Sequence, residues 1–149
     1  MSDNSAHEKA LTDAVILHFA EYGVDDVKDI FDKVDDADKV GVFCGVTFSK
    51  VELPTNAIKM NAGGFWNSVF LISCRIHSQD DPQGDQLHAL VKQVRDAWHV
   101  EDLADEIDKH LTDQTIVSVM VADPVPATSG NIRKLDLFYN IIHSVYKED

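Results

Sequence analysis

The chain reads as an α+β fold, a mostly antiparallel sheet of long strands packed against an N-terminal helix and a central helix pair. Three observations carry that reading. Phe65–His77 and Arg133–Tyr146 alternate apolar and polar residues over much more than the usual ~5–6 strand residues. Between them, Leu87, Leu90, Val91, Val94 and Trp98 recur at helical spacing near Gln86–His99, and Leu103, Ile107 and Leu111 continue as a shorter acidic helix. The 149 residues are 44% apolar, enough for one domain, 1–149, with a real core.

Taken in order, the first helix is signalled by Ser5 and Glu8, a capping-box pair, then by Leu11, Ala14, Val15, His18, Phe19 and Tyr22, with Gly23 as its stop. His18 falls inside that stripe and reads as a buried, hydrogen-bonded core histidine. Residues 25–38 are ambiguous: Val27, Ile30, Phe31 and Val34 have helical spacing, yet the stretch also suits an irregular or extended arm. Val40 to Phe48 alternates cleanly, which puts Val40, Val42, Cys44, Val46 and Phe48 on one face. Gly41 and Gly45 fall on the other, where something can approach the backbone closely.

Residues 50–64 form a long excursion that contains Val51, Leu53, Ile58 and Met60. Apolar residues in such a loop point to a partner surface. In the strand that follows, Trp66, Phe70, Ile72, Cys74 and Ile76 share a face, while Val69 and Leu71 suggest cover on the other side as well. Thr115–Ala122 is apolar throughout, as a central strand would be, and 123–131 reads as a loop.

Charge narrows the function classes. The formal net charge is -13, from 26 acids against 13 bases. That balance opposes nucleic-acid binding, which draws its affinity from phosphate neutralisation, and docking on anionic membranes. Residues 1–39 hold 11 acids and 4 bases, and residues 101–113 hold 6 acids and 1 Lys. Such runs are solvated faces or surfaces that repel an anion. The N-terminus MSDNSAHEKA has no secretory character, and no apolar run approaches the ~20 residues of a membrane span. Cys44 and Cys74 read as small buried hydrophobes of a protein made in a reducing cytoplasm.

No catalytic set has specific spacing: GxGxxG, P-loop, HExxH, CxxC and GxSxG motifs are all missing. His88, His99 and His110 repeat every 11 residues, ~16 Å apart on one helix and too far to share a metal. His77 and His143 would meet only if their strands paired suitably. No cofactor, metal or catalytic residue is expected. Strand length adds a different hint. About 13 residues span ~43 Å, against a diameter of about 40 Å for a domain this size. Such strands are either broken by bulges or project, and projecting edges need another chain.

The layout resembles the lambda-type tail terminator family of long-tailed phages. The resemblance rests on an N-terminal helix, a strand like VGVFCGVTF, a variable excursion, the Trp-led FWNSVFLISCRIHS, the helix DQLHALVKQVRDAW, the short helix DLADEIDKHL and the closing KLDLFYNIIHSVY. Residues 25–39 depart from it, reading as more helical and acidic than the strand expected there. The resemblance implies a structural virion protein and no enzyme. It implies a homohexameric ring on the head-proximal end of the tail tube, which stops tube polymerisation and joins the tail to the neck or connector. Expected partners are other copies, tube protein and neck or connector protein, with genome DNA passing through the lumen without specific binding and no membrane. Expected contact residues are Lys50, Ile58, Lys59 and Met60 on the excursion and Thr128, Asn131 and Arg133 before the last strand. The alternatives are another neck or tail-tube component, or a small oligomeric ligand-binding module or enzyme, which would need a pocket of convergent polar groups.

Overall fold

The computed structural model describes residues 4–31, 40–52, 65–121, 125–129 and 131–144. Its elements in chain order are α1 (Asn4–Glu21), β1 (Val27–Asp29), β2 (Gly41–Glu52), β3 (Phe65–His77), α2 (Asp85–Trp98), α3 (Leu103–Asp108), β4 (Thr115–Val121), β5 (Val125–Ser129) and β6 (Ile132–Ser144). The sheet runs β1-β2-β3-β6-β4, with β5 also paired to β6. Among the described residues only the β1–β2 pair is parallel. The α+β class is therefore as expected.

Local chemistry sets the element ends. α1 stops at Gly23, whose φ of 82° suits a residue without a Cβ. There the Val24 amide donates to the Phe19 carbonyl at 2.9 Å and the Gly23 amide to the Ala20 carbonyl at 3.2 Å, a Schellman close with both Val24 and Phe19 buried. α2 starts after Gly84, and the buried Asp81 carboxylate accepts from the Gln86 and Leu87 amides at 3.0 and 2.9 Å. Burial opposes the charge on Asp81, but these backbone donors and Arg133 outweigh it and hold the carboxyl below its usual range.

All three helices lie on one face of the sheet: α1 over β1 and β2, α2 over β3 and β6, α3 beside β4. Phe19, Phe70 and Tyr139 gather around Trp98, with ring centroids 5.8, 6.3 and 4.7 Å from it. His18 is buried in this layer with its Nε2 2.8 Å from the Ala97 carbonyl, as the α1 stripe predicts. Burial lowers its pKa. The open side of Phe43 is covered by Lys28 and Arg75, 5.4 and 4.5 Å from the ring centroid. Gly45 is needed for a close approach: a Cβ there would lie 2.7 Å from Ile30 Cγ2.

Several expectations are corrected. Among the described residues β4 is an edge strand, not a central one. Residues 125–129 form β5 along the same edge, where Pro126 costs no interior ladder bond. The ambiguous 25–38 stretch contains the short β1; residues 32–39 lie outside the described residues. β2 runs on to Glu52, so Lys50 stands on a strand, and only 53–64 of the excursion lies outside the described residues. β3 and β6 pair over 13 residues without a register shift; the bulges fall on β2 at Thr47 and on β4 at Val117. The Thr47 bulge turns Phe48 away from the face of Val46 and leaves it 59% exposed.

Candidate functional site

The proposed contact residues do not converge. Lys50 is exposed on β2, opposite Asn67. Arg133 pairs with Ile76, nine positions along β3 from Asn67, which is roughly 30 Å. Thr128 stands opposite Arg133 in register, and the exposed Asn131 sits in the turn between β5 and β6. The Asn131 carbonyl accepts from the Ser78 amide at 2.8 Å and the Ser78 hydroxyl at 3.0 Å, which ties this turn to the end of β3. Ile58, Lys59 and Met60 lie outside the described residues.

One buried cluster has the residue types of a hydrolase. The Ser68 hydroxyl is 2.8 Å from His143 Nε2 and 2.7 Å from the Ser49 hydroxyl. Ser68 and His143 are fully buried, and His143 Nδ1 has no hydrogen-bond partner among the described residues. Burial pushes the imidazole down to about 4, with His7 lowering it further and Asp113 opposing. A nucleophile needs an oriented base and access to substrate; this pair is sealed between β2, β3 and β6. It is a buried polar link across the sheet; alternation puts positions 68 and 143 on the apolar faces of their strands, but their meeting depends on the ladder register. His77 and His143 sit at opposite ends of the β3–β6 ladder and do not meet.

Other chemistry is sparse. Among the described residues no group of three or more His, Cys, Asp or Glu could hold a metal ion, and no helix is long and apolar enough to cross a membrane. Burial pushes the Cys74 thiol up to about 12 and the Cys44 thiol also upward. A groove of about 300 Å³ opens between α1 and the β1–β2 margin, lined by Glu8, Lys9, Thr12, Asp29, Phe31 and Val46. Lys9 fills part of its polar wall with bridges to Asp29 at 2.8 Å and Asp13 at 3.2 Å.

Large apolar side chains are exposed at Leu17 and Tyr22 in the α1 region, at Phe31 after β1, and on the margin strands β2 and β4. Phe48 on β2 is 59% exposed, and Val117 and Met120 on β4 are 53% and 57% exposed. β4 (TIVSVMV) has neither a charge nor a proline, the usual protections of an edge. Asp108 blocks only its start, by accepting from the Ile116 amide at 3.1 Å. Charge is divided between the two sides: Lys28, Lys50, Arg75 and Lys134 share the sheet face away from the helices by register, while the acidic 101–113 stretch belongs to the helical side. On the outer face Asp136 accepts from Ser73 at 2.6 Å.

No protein-family model matches the chain, and no curated protein matches it either. The fold is similar to that of a solved chain described as "Virion of native gene transfer agent (GTA) particle", with a TM-score of 0.57. That alignment covers 96% of this chain and 99% of the other at 16% identity.

Proposed function

We propose that the chain is a structural virion protein of a phage-like tail. It forms a ring, hexameric by the family resemblance, that caps the head-proximal end of the tail tube, stops tube polymerisation and joins the tail to the neck or connector. The observation that carries this reading is the near end-to-end fold similarity to a chain of a virion particle, 96% of one and 99% of the other. The exposed, uncharged margin strand supports it, since a ring subunit needs neighbours. In this reading the chain has no catalytic role, and its partners are other copies, tube protein and a neck protein.

Passage of genome DNA through the lumen without specific binding belongs to the same proposal. It requires the acidic helical side, not the sheet face with Lys28, Lys50, Arg75 and Lys134, to line the channel. With the sheet inward, DNA affinity would be measurable and would fall steeply with salt. The direct test is polymerisation of the cognate tube protein with the chain added. Tubes capped at one end and shortened as the chain's concentration rises are expected. Tubes of unchanged length and bare ends would reject the function.

A further inference from the structure

The two open margins lie at the same end of the sheet and are matched row by row. Phe48 pairs with Val69, Val69 with Asn140, and Asn140 with Met120. Likewise Lys50, Asn67, Ile142 and Ser118 form one row, and Ser49, Ser68, Ile141 and Val119 another. Each margin strand takes one bulge, at Thr47 and at Val117, so the rows stay aligned from one margin to the other. At the far end β1 covers β2 over Val42–Cys44, and at the near end Asp108 engages Ile116. Between these limits neither margin has a strand partner among the described residues.

Polarity is matched as well. β2, β3, β6 and β4 alternate in direction, so β2 and β4 point opposite ways. A second copy placed beside the first without inversion therefore sets its β2 antiparallel to the first copy's β4. A closed ring has no translation along its axis, so each row meets its own continuation when the strands run along that axis. In that arrangement the two most exposed apolar residues of the margins, Phe48 and Met120, share a row and the outer face. Charge does not oppose the joint: Lys50 is the one charge of the Val46–Lys50 segment, and β4 (TIVSVMV) carries none. The groove beside Val46 opens on the same β2 margin.

We infer that copies of this chain join head to tail through their sheets, Val46–Lys50 of one copy pairing antiparallel with Ser118–Val121 of the next, with Phe48 against Met120. The partner is a second copy of the chain. The inference deepens the ring reading and rests on it only for closure. Strand addition supplies main-chain hydrogen bonds, and the Phe48–Met120 contact supplies apolar burial. A heterologous contact of this kind uses two different surfaces, which makes it separable by mixing.

The test is molar mass by light scattering of the full chain, of Phe48→Asp and of Met120→Asp, alone and mixed. The expected result is a multimer for the wild type, a monomer for each variant, and a 1:1 dimer for the mixture, because one intact margin of each kind remains. A variant that keeps the wild-type mass, a monomeric wild type, a monomeric mixture, or a Phe48→Asp dimer made through two β4 margins would overturn it. Should either Asp variant lose its native circular dichroism, the double variant Phe48→Cys/Met120→Cys decides. Oxidation should give a ladder of cross-linked copies, Cys44 and Cys74 being buried, and no ladder overturns the inference. Tube capping by the same proteins separates the two proposals. Wild type that multimerises through these margins yet leaves tubes uncapped rejects the function alone. Capping by a multimer indifferent to both substitutions rejects the pairing alone.

Discussion

Phe70 and Phe48 are neighbours in one sheet with opposite fates. Phe70, on the central β3, is fully buried beneath Trp98; Phe48, on the marginal β2, is 59% exposed. The difference lies in the bulge at Thr47, which turns the strand over, and in the helices, which cover only one face. The centre of the sheet is completed within one chain. The margins carry exposed apolar side chains and an uncharged strand, with no strand partner for Val46–Lys50 or Ser118–Val121 among the described residues beyond β3 and β6.

Truncation should separate the two regions most strongly. Phe70→Ala is expected to cost about 3–5 kcal/mol in urea unfolding, from lost transfer energy and the cavity left behind. Phe48→Ala in the dilute, dissociated chain should change stability by no more than about 0.5 kcal/mol. Similar costs at both sites would erase the contrast.

A pH series probes the buried polar link in the centre, where His143 of β6 stands between β3 and β4. His143 is held neutral by burial, down to about 4, whereas an unfolded histidine titrates near ~6.5. Below that value the unfolded chain takes up a proton that the folded chain refuses. Stability is therefore full above pH ~6.5 and falls as the pH drops toward 4, by about 3 kcal/mol from this residue. His18, also lowered by burial, adds in the same direction. His143→Gln should flatten the difference in unfolding free energy between pH 7 and pH 4; an unchanged slope would remove His143 from the account.

A smaller loss than at Phe70 or His143 is expected at the β1 side. Gly45→Ala puts a methyl 2.7 Å from Ile30 Cγ2, which should cost about 1–2 kcal/mol. Because the obstacle is a side chain, Ile30→Ala should absorb most of that cost in a double-mutant cycle. Additive costs would place the strain in the backbone instead.

Much of the centre was legible in the sequence. The α1 stripe ended by Gly23, the buried His18, the Trp-led β3 and the α2 stripe are local patterns, and local patterns survive in one dimension. The margins were not legible for definite physical reasons. Alternation from Val40 to Phe48 predicts one face, but a single inserted residue at Thr47 reverses it, and nothing in VTF marks a bulge. The apolar run at 115–121 reads as a central strand because burial in the monomer is the commonest cause of such a run; strand order is not written locally. DPVPATSGN contains enough turn residues to hide β5. The contact candidates Lys50 and Arg133 read in the sequence as belonging to an excursion and a loop margin, and the ladder register sets them far apart.

The most direct measurement of the central claim is amide hydrogen exchange as a function of protein concentration. The account predicts that protection of Thr47–Lys50 and Ser118–Val121 rises with concentration, with the β3 and β6 amides unchanged between dilute and concentrated samples. Margin amides whose exchange is the same at every concentration, under conditions where the chain is shown to multimerise, would contradict it.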